Sequence, residues 1–277
     1  MKKPMKLGAY QFAVSGNIRE NLNTIKKAIS LAAAQKIELL AFPECALTGY
    51  PPHDIPDSRA VDFEEVDAAL EEIQALAAGN GICTVIGSIT EGEPNGKPHN
   101  SAVIFLPDGK REIYHKRALW GWDRDNFSGE KLDSKKVAPD NFSPGDGGGV
   151  FQLGNVKIGV RICFEVRFPE YFRELYAQNT DLNIILFYDV ADNDNVDRYD
   201  LIRSHIRTRA VENVCPILTV DTIRPYQTAP TALYDRSGGV LAELERNKEG
   251  LLVYDWEKTE LTFGEQGRKE ISDSFFK

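Results

Sequence analysis

Cys163 lies in the setting that most clearly suggests chemistry. It ends an apolar run in "VRICFEVRFPE", residues 160–170, and charged and aromatic residues follow it before a proline. A side chain at the end of a buried strand is held by a rigid scaffold and can face a pocket. Because a free thiol has a pKa of about 8.5, little of it is thiolate at neutral pH. A catalytic role for Cys163 therefore requires a base or a positive charge beside it.

Two other predicted strand ends carry such groups. Glu44 follows an apolar strand and a proline in "LLAFPECALTGYPP", residues 39–52. Lys116 follows a strand in "REIYHKRALWGWDRDNF", residues 111–127. Three strand ends that carry a carboxylate, an ammonium and a thiol predict one shared pocket at an edge of the sheet.

Histidine is the more usual base for a catalytic cysteine. The four histidines of the chain are His53, His99, His115 and His205. None of them has a local signature that marks it as catalytic, and spacing alone leaves a Cys–His pair open.

Apolar strands alternate with amphipathic helical stretches along the chain, which favours an α/β fold. Helices are predicted at 17–36, 60–79, 169–178 and 196–213. Strands are predicted at 6–14, 37–44, 82–89, 99–106, 111–115, 149–153, 156–162, 182–187, 216–221, 230–235, 239–245 and 250–255. No linker composition divides the chain, so we expect one domain over residues 1–277.

Composition excludes several classes of protein. A chain of 277 residues with 42% hydrophobic content can fill a substantial core. The net charge of -9 and the absence of a basic patch argue against a nucleic-acid surface. No stretch approaches about 18 uncharged apolar residues, and no signal sequence opens the chain, so we expect a cytoplasmic protein without membrane contact. Four cysteines without a CxxC pair argue against a disulfide framework or a zinc ribbon.

Five stretches, in order along the chain, resemble the nitrilase superfamily of carbon-nitrogen hydrolases. The first three are "FPE…TGY" around Glu44, the pattern Y-x-K-x-x-L around Lys116, and C-x-[DE]-x-RFPE at Cys163. "RAVEN" at 209–213 and "TALYDRSGGVLAE" at 231–243 are similar to later blocks. Five ordered matches over nearly the whole chain are far more specific than one short motif.

The resemblance implies a fold and a mechanism. The fold would be a four-layer αββα sandwich, and members commonly form homodimers or larger homo-oligomers. Glu44 would be the general base, Cys163 the nucleophile, and Lys116 would bind the oxyanion together with the backbone N–H of Phe164. No cofactor and no metal are implied. The aromatic residues Tyr50, Trp120 and Tyr188 are candidates for the pocket that holds a small amide.

The chain departs from the family between the lysine and the cysteine. Many members carry a second glutamate there, in a pattern like E-R-x-x-F-x-P-G. Asp123 in "DRDNFSG" fits that place best, and Glu130 or Asp140 are alternatives. "DNFS" occurs at 125–128 and at 140–143, which indicates a loop insertion at about 128–142.

Three functions stay open at this point. The "RFPE" ending of the nucleophile motif favours an amidase that acts on small carboxamides. An N-carbamoyl amine amidohydrolase of the same superfamily would differ only in its loops. A catalytically silent scaffold or binding protein would keep the fold, and the missing second glutamate speaks mildly for it.

Overall fold

The computed structural model describes residues 4–121 and 141–276, which form fourteen β-strands and five α-helices. The strands are β1 Met5–Gln11, β2 Leu39–Ala41, β3 Cys83–Thr90, β4 His99–Phe105, β5 Arg111–His115, β6 Val150–Leu153, β7 Val156–Ile162, β8 Leu182–Leu186, β9 Val190–Ala191, β10 Ile217–Val220, β11 Tyr226–Gln227, β12 Ala232–Tyr234, β13 Val240–Glu243 and β14 Gly250–Trp256. The helices are α1 Ile18–Ala34, α2 Phe63–Gly79, α3 Pro169–Ala177, α4 Val196–Glu212 and α5 Phe263–Ser274.

Two six-stranded mixed sheets form the centre of the molecule. Their strand orders are β14-β1-β2-β3-β4-β5 and β13-β12-β10-β8-β7-β6. In each sheet three central strands run parallel, β1-β2-β3 in the first and β7-β8-β10 in the second. Strands β9 and β11 form a separate two-stranded ribbon.

Two apolar clusters define the layers. One joins side chains from both sheets, such as Leu7 and Val85 with Val160 and Ile184, and also includes α3 and α4 residues. The other joins the outer face of the first sheet to α1 and α2. The order of layers is therefore helix, sheet, sheet, helix, and the predicted αββα sandwich is confirmed.

Local sequence explains the element ends. Asn17 caps α1, because its side chain accepts a hydrogen bond from the backbone N–H of Glu20, and the helix begins at Ile18, the first residue of the apolar pattern. Sequence periodicity missed α5, whose apolar residues Phe263 and Ile271 are exposed. Its capping box, Thr262 with Glu265, is the signal that predicts this helix.

Within the described ranges 4–121 and 141–276, none of the helices is both long and apolar enough to cross a membrane.

Candidate active site

Glu44 is placed by a tight turn after β2. Its N–H donates to the carbonyl of Phe187 at 3.1 Å, which ties the turn to the end of β8 in the other sheet. The turn passes directly over Gly87 of β3, where an added Cβ would lie 2.2 Å from the carbonyl oxygen of Pro43. Only glycine allows this approach. The Glu44 carboxylate is thereby held at the facing edges of both sheets, 1% exposed.

Lys116 and Asn100 both donate to one oxygen of that carboxylate. Lys116 Nζ and Asn100 Nδ2 each lie 2.7 Å from Glu44 Oε1. The Lys116 side chain is 1% exposed, so this ion pair is screened little by solvent. Asn100 belongs to β4, and its carbonyl accepts the N–H of Lys116 at 2.8 Å. One residue thus positions both members of the ion pair.

The second carboxylate oxygen is bound by the backbone. Tyr188 N–H donates to Glu44 Oε2 at 2.9 Å, and it also acts to lower the pKa of the Cys163 thiol. The next residue, Asp189, donates its N–H to the buried Asp221 carboxylate at 3.0 Å. Asp221 also accepts the N–H of Ala229 at 3.0 Å. Asp221 therefore fixes the backbone that serves Glu44.

Cys163 begins a 3-10 turn, Cys163–Arg167, directly after β7. Its φ angle is +46°, a conformation that L-residues rarely adopt and that is often found at functional sites. The side chain is buried, with 9% exposure. The thiol of Cys163 therefore lies at the end of a strand, as the sequence predicts.

The electrostatic surroundings of Cys163 favour the neutral thiol. Burial raises the pKa of Cys163 well above its usual value, and the negative charge of Glu44 raises it further. Lys116 and the Tyr188 N–H act in the opposite direction, more weakly. The resting site therefore holds a thiol beside a carboxylate and an ammonium.

Glu165 joins the turn that begins at Cys163 to the loop that follows Lys116. Its carboxylate accepts hydrogen bonds from the N–H of Ile162 and the N–H of Arg117, each at 2.7 Å. The hydroxyl of Tyr114 donates to it at 2.7 Å as well. Glu165 is completely buried, so these bonds are shielded from water.

Arg209 supports the same turn from α4. Its Nε donates to the carbonyl of Val166 at 2.9 Å and its Nη2 to the carbonyl of Arg167 at 3.2 Å. Arg209 is the first residue of the "RAVEN" block at 209–213. Sequence alone assigned no role to this arginine, and these contacts show that it supports the turn of Cys163. Asn100 and Asp221 were not predicted, because Glu44 and Asp189, which they bind, lie in distant parts of the chain.

Two of the predicted pocket aromatics lie beside the ion pair, and the third lies beside Phe164, the residue after Cys163. The rings of Tyr50 and Tyr188 stack with centroids 5.0 Å apart, and Lys116 Nζ lies 5.9 Å from the centre of the Tyr50 ring. Trp120 meets the Phe164 ring edge-on at 4.8 Å. All three aromatic residues named from sequence therefore lie beside the ion pair or beside Phe164.

The predicted second acids, Asp123 and Glu130, and the alternative Asp140 lie outside the described residues, as does most of the predicted insertion at 128–142. Its last two residues, Asn141 and Phe142, are buried. Asn141 Oδ1 accepts the N–H of Ser58 at 3.0 Å. The role of the second acid stays a prediction.

The sequence predicted neither a disulfide framework nor a metal site. Cys45, Cys83, Cys163 and Cys215 are all free and buried. In the described part of the chain, no three His, Cys, Asp or Glu side chains are grouped as metal ligands would be.

Known proteins share both the sequence pattern and the architecture. The omega-amidase NIT2 of Xenopus tropicalis is 32% identical over 174 residues, which are 62% of this chain and 59% of that protein. A deaminated glutathione amidase of Synechocystis is 27% identical over 223 residues, 78% of this chain and 76% of that protein. The chain thus spans about three fifths of the omega-amidase that it matches.

A solved structure supports the fold. An amidase from Nesterenkonia sp. superposes with a TM-score of 0.76 over 99% of this chain and 97% of that chain, at 23% identity. A mutant of that amidase, with a TM-score of 0.76, carries the acetamide moiety of fluoroacetamide added covalently at its active-site cysteine. The family model of carbon-nitrogen hydrolases matches residues 6–261 of the present sequence. The chain therefore belongs to the carbon-nitrogen hydrolase family.

Proposed function

We propose that this protein is a thiol hydrolase that cleaves the C–N bond of a small carboxamide and releases a carboxylic acid and ammonia. The observation that carries the proposal is the buried ion pair of Glu44 and Lys116, 2.7 Å apart, whose charges both act on the Cys163 thiol. The relatives named as amidases support the same reaction class.

The first step forms a thioester. Glu44 takes the proton of Cys163 as the sulfur attacks the amide carbon, and the carbonyl electron pair moves to oxygen. A base is needed because the resting thiol is neutral. Three donors fix the orientation of the Glu44 carboxylate before the substrate arrives, so little reorganisation accompanies proton transfer.

Lys116 would bind the oxyanion. Its ammonium is a compact charge, which suits a localised oxyanion. The backbone N–H of Phe164 would be the second donor, since N–H groups at the start of a helical turn have no partner within it. Collapse of this intermediate breaks the C–N bond, and protonated Glu44 gives its proton to the departing nitrogen.

Hydrolysis of the thioester repeats these steps with water. Glu44 accepts a proton from water as the water oxygen attacks the acyl carbon. The C–S bond then breaks, and the proton returns to sulfur. The net reaction consumes one amide and one water and leaves Glu44 and Cys163 in their starting protonation states.

Ammonia release tests the proposal. Small amides, dicarboxylic monoamides, N-carbamoyl amines and nitriles are each incubated with the protein and with its Cys163→Ala variant. We expect ammonia from an amide, and loss of that ammonia in the variant. Cys215→Ala is the matched control, because Cys215 is also free and buried but its sulfur contacts Thr180 instead of the site. Equal loss in both cysteine variants, or ammonia from carbamoyl compounds alone, would refute the amidase assignment.

A further inference from the structure

Two histidines stack beside the ion pair. The rings of His99 and His115 lie with their centroids 4.1 Å apart and their planes 28° apart. His99 directly precedes Asn100, and His115 directly precedes Lys116. Asn100 and Lys116 are the two side chains that donate to Glu44 Oε1. Each ring of the stack therefore belongs to the residue before one of these donors.

The alternation of side chains along a strand puts the rings and the donors on opposite faces of the first sheet. In β4, Ile104 packs between the two sheets, and Phe105 packs against the outer helices. Asn100 shares the inner face with Ile104, whereas His99 shares the outer face with Phe105. The stack therefore supports the donors from behind, through the backbone that carries them.

The end of β5 is a place where such support matters. β5 is the last strand in the order of the first sheet, with β4 as its neighbour. Strand ends open more readily than strand centres. Just beyond β5 the N–H of Lys116 donates to the carbonyl of Asn100 at 2.8 Å. Opening of this strand end would withdraw the Lys116 ammonium from Glu44.

His115 is held as a neutral ring. Its Nδ1 lies 2.7 Å from Ser101 Oγ, which in turn lies 2.7 Å from Thr90 Oγ1 of β3. Burial, and then His99, lower the pKa of His115 to about 4, whereas the Asp146 carboxylate opposes this shift. His115 is therefore uncharged at neutral pH. Stacked aromatic rings attract one another, and no charge on His115 opposes that attraction.

The chain that returns at Ser143 packs over the stack and over the strand end. His99 Nδ1 lies 3.0 Å from the carbonyl oxygen of Ser143. The N–H of Gly145 donates to the carbonyl of Lys116 at 2.9 Å. A Cβ on Gly145 would lie 2.3 Å from the carbonyl oxygen of His115, so this close approach requires glycine. The stack is therefore a built part of the fold at the point where the lysine leaves the sheet.

We propose that His99 and His115 are positioning residues, whose stacked rings keep the ends of β4 and β5 paired and so hold Asn100 and Lys116 on the Glu44 carboxylate. This inference rests on the proposed amidase function. The rings act through the residues that follow them, so their loss should change kcat, which depends on Glu44 and Lys116, more than KM.

Two substitutions at one position test the role of the ring. His115→Ala removes the ring, whereas His115→Phe keeps an aromatic ring on which His99 can stack. Both are assayed with the amide that gives the fastest Cys163-dependent release of ammonia. We expect His115→Ala to lower kcat about 10- to 100-fold at a similar KM, because a displacement of about 1 Å at a catalytic group can cost that much. His115→Phe should retain most of the kcat.

Matched variants guard against a general effect of histidine loss. His205→Ala removes a histidine of α4, whose Nδ1 lies 2.9 Å from the carbonyl oxygen of Leu201 in the same helix, and should leave kcat unchanged. If His115→Phe does not fold, His99→Ala and His99→Phe make the same comparison from the other side of the stack. An equal loss of kcat in the Ala and Phe variants, or no loss in either, would overturn the positioning role.

The outcomes separate this inference from the proposed function. No Cys163-dependent ammonia from any amide would overturn the amidase, and alkylation of Cys163 by iodoacetamide would then decide the role of the stack. Lys116 acts to lower the pKa of the Cys163 thiol. His115→Ala should therefore slow alkylation at fixed pH by up to about 10-fold, the change in thiolate for one pKa unit, and His115→Phe should not. Equal alkylation rates in these two variants would overturn the inference.

Discussion

The Glu165 carboxylate accepts the backbone N–H of Arg117 at 2.7 Å, and this contact joins the loop of the lysine to the turn of the nucleophile. Arg117 follows Lys116, and Glu165 lies two residues after Cys163. The same carboxylate accepts the N–H of Ile162, just before the cysteine. One buried side chain therefore sets the distance between two strand ends that belong to different sheets.

Glu165→Gln should impair catalysis more than substrate binding. The carboxylate accepts from four donors, whereas an amide has one acceptor oxygen and brings an NH2 group that must face one of those donors. We expect a loss of about 1–3 kcal/mol in the free energy of unfolding, the usual effect of unsatisfied buried polar groups. Urea denaturation measures this loss. A lower kcat at similar KM would show that Lys116 is displaced, because Glu165 holds the residue that follows it. A variant with unchanged kcat would show that Glu165 serves stability alone.

Gly87→Ala should destabilise the turn that carries Glu44. The added Cβ would lie 2.2 Å from the carbonyl oxygen of Pro43 and 2.4 Å from the nitrogen of Cys45, and both are backbone atoms that cannot rotate away. Gly79→Ala is the control, because nothing lies within 4 Å of its Cβ position at the end of α2. We expect Gly87→Ala to lower the midpoint of thermal unfolding. Gly79→Ala should raise the midpoint, because it adds about 0.4–1 kcal/mol to the free energy of unfolding. Equal midpoints in the two variants would contradict the packing argument.

The sequence was sufficient to predict which residues lie at the strand ends, but it did not predict which residues they contact. Glu44, Lys116 and Cys163 each follow a strand whose apolar pattern can be read locally, so their shared edge was predictable. Asn100 lies inside β4 and reaches Glu44 only because β3 and β4 pair in a particular register. No local pattern contains that register.

Glu165 could have been named, since the motif C-x-[DE]-x-RFPE contains it. The homo-oligomer, the cytoplasmic location and the single-domain assignment stay predictions.

Removing one partner of the buried ion pair should cost more than removing both. Lys116→Met leaves the Glu44 charge buried with only Asn100 and the Tyr188 N–H as donors. We expect a loss of about 3–5 kcal/mol in stability and at least about 100-fold in kcat. In the double variant Glu44→Gln/Lys116→Met no uncompensated charge remains, so its loss of stability should be smaller than that of Lys116→Met alone. Additive losses, measured by urea denaturation, would argue against a strongly coupled pair.

His115 should make the protein less stable in weak acid. Partial burial, and then the neighbouring His99, lower the pKa of His115 from 6.5 to about 4, whereas Asp146 opposes the shift. The two rings stack at 4.1 Å, and His115 Nδ1 lies 2.7 Å from Ser101 Oγ. Between pH 6.5 and 4 the unfolded chain binds more protons at this residue, so stability falls as pH falls through that window.

The loss of stability can be estimated from the pKa shift of His115, reduced because solvent screens a partly exposed group. His115 is only partly buried, so we expect about 1–2 kcal/mol, less than the full shift implies. Urea denaturation of the unmodified protein and of His115→Asn across this pH range gives the difference directly. Identical pH slopes in both proteins would exclude His115 as the source.

Alkylation of Cys163 should become faster up to and beyond pH 9. Burial first, and the Glu44 charge second, raise the pKa of this thiol well above its usual value, so the reactive thiolate is scarce at neutral pH. Glu44→Gln removes the negative charge but keeps Lys116 and the Tyr188 N–H, so the apparent pKa for alkylation should fall in that variant. Iodoacetamide labelling followed by intact mass measures the rate, and loss of one label in Cys163→Ala identifies the labelled site. A rate that levels off below pH 8 in the unmodified protein would mean that the resting nucleophile is a thiolate paired with Lys116, and Glu44 would then have no proton to remove before attack.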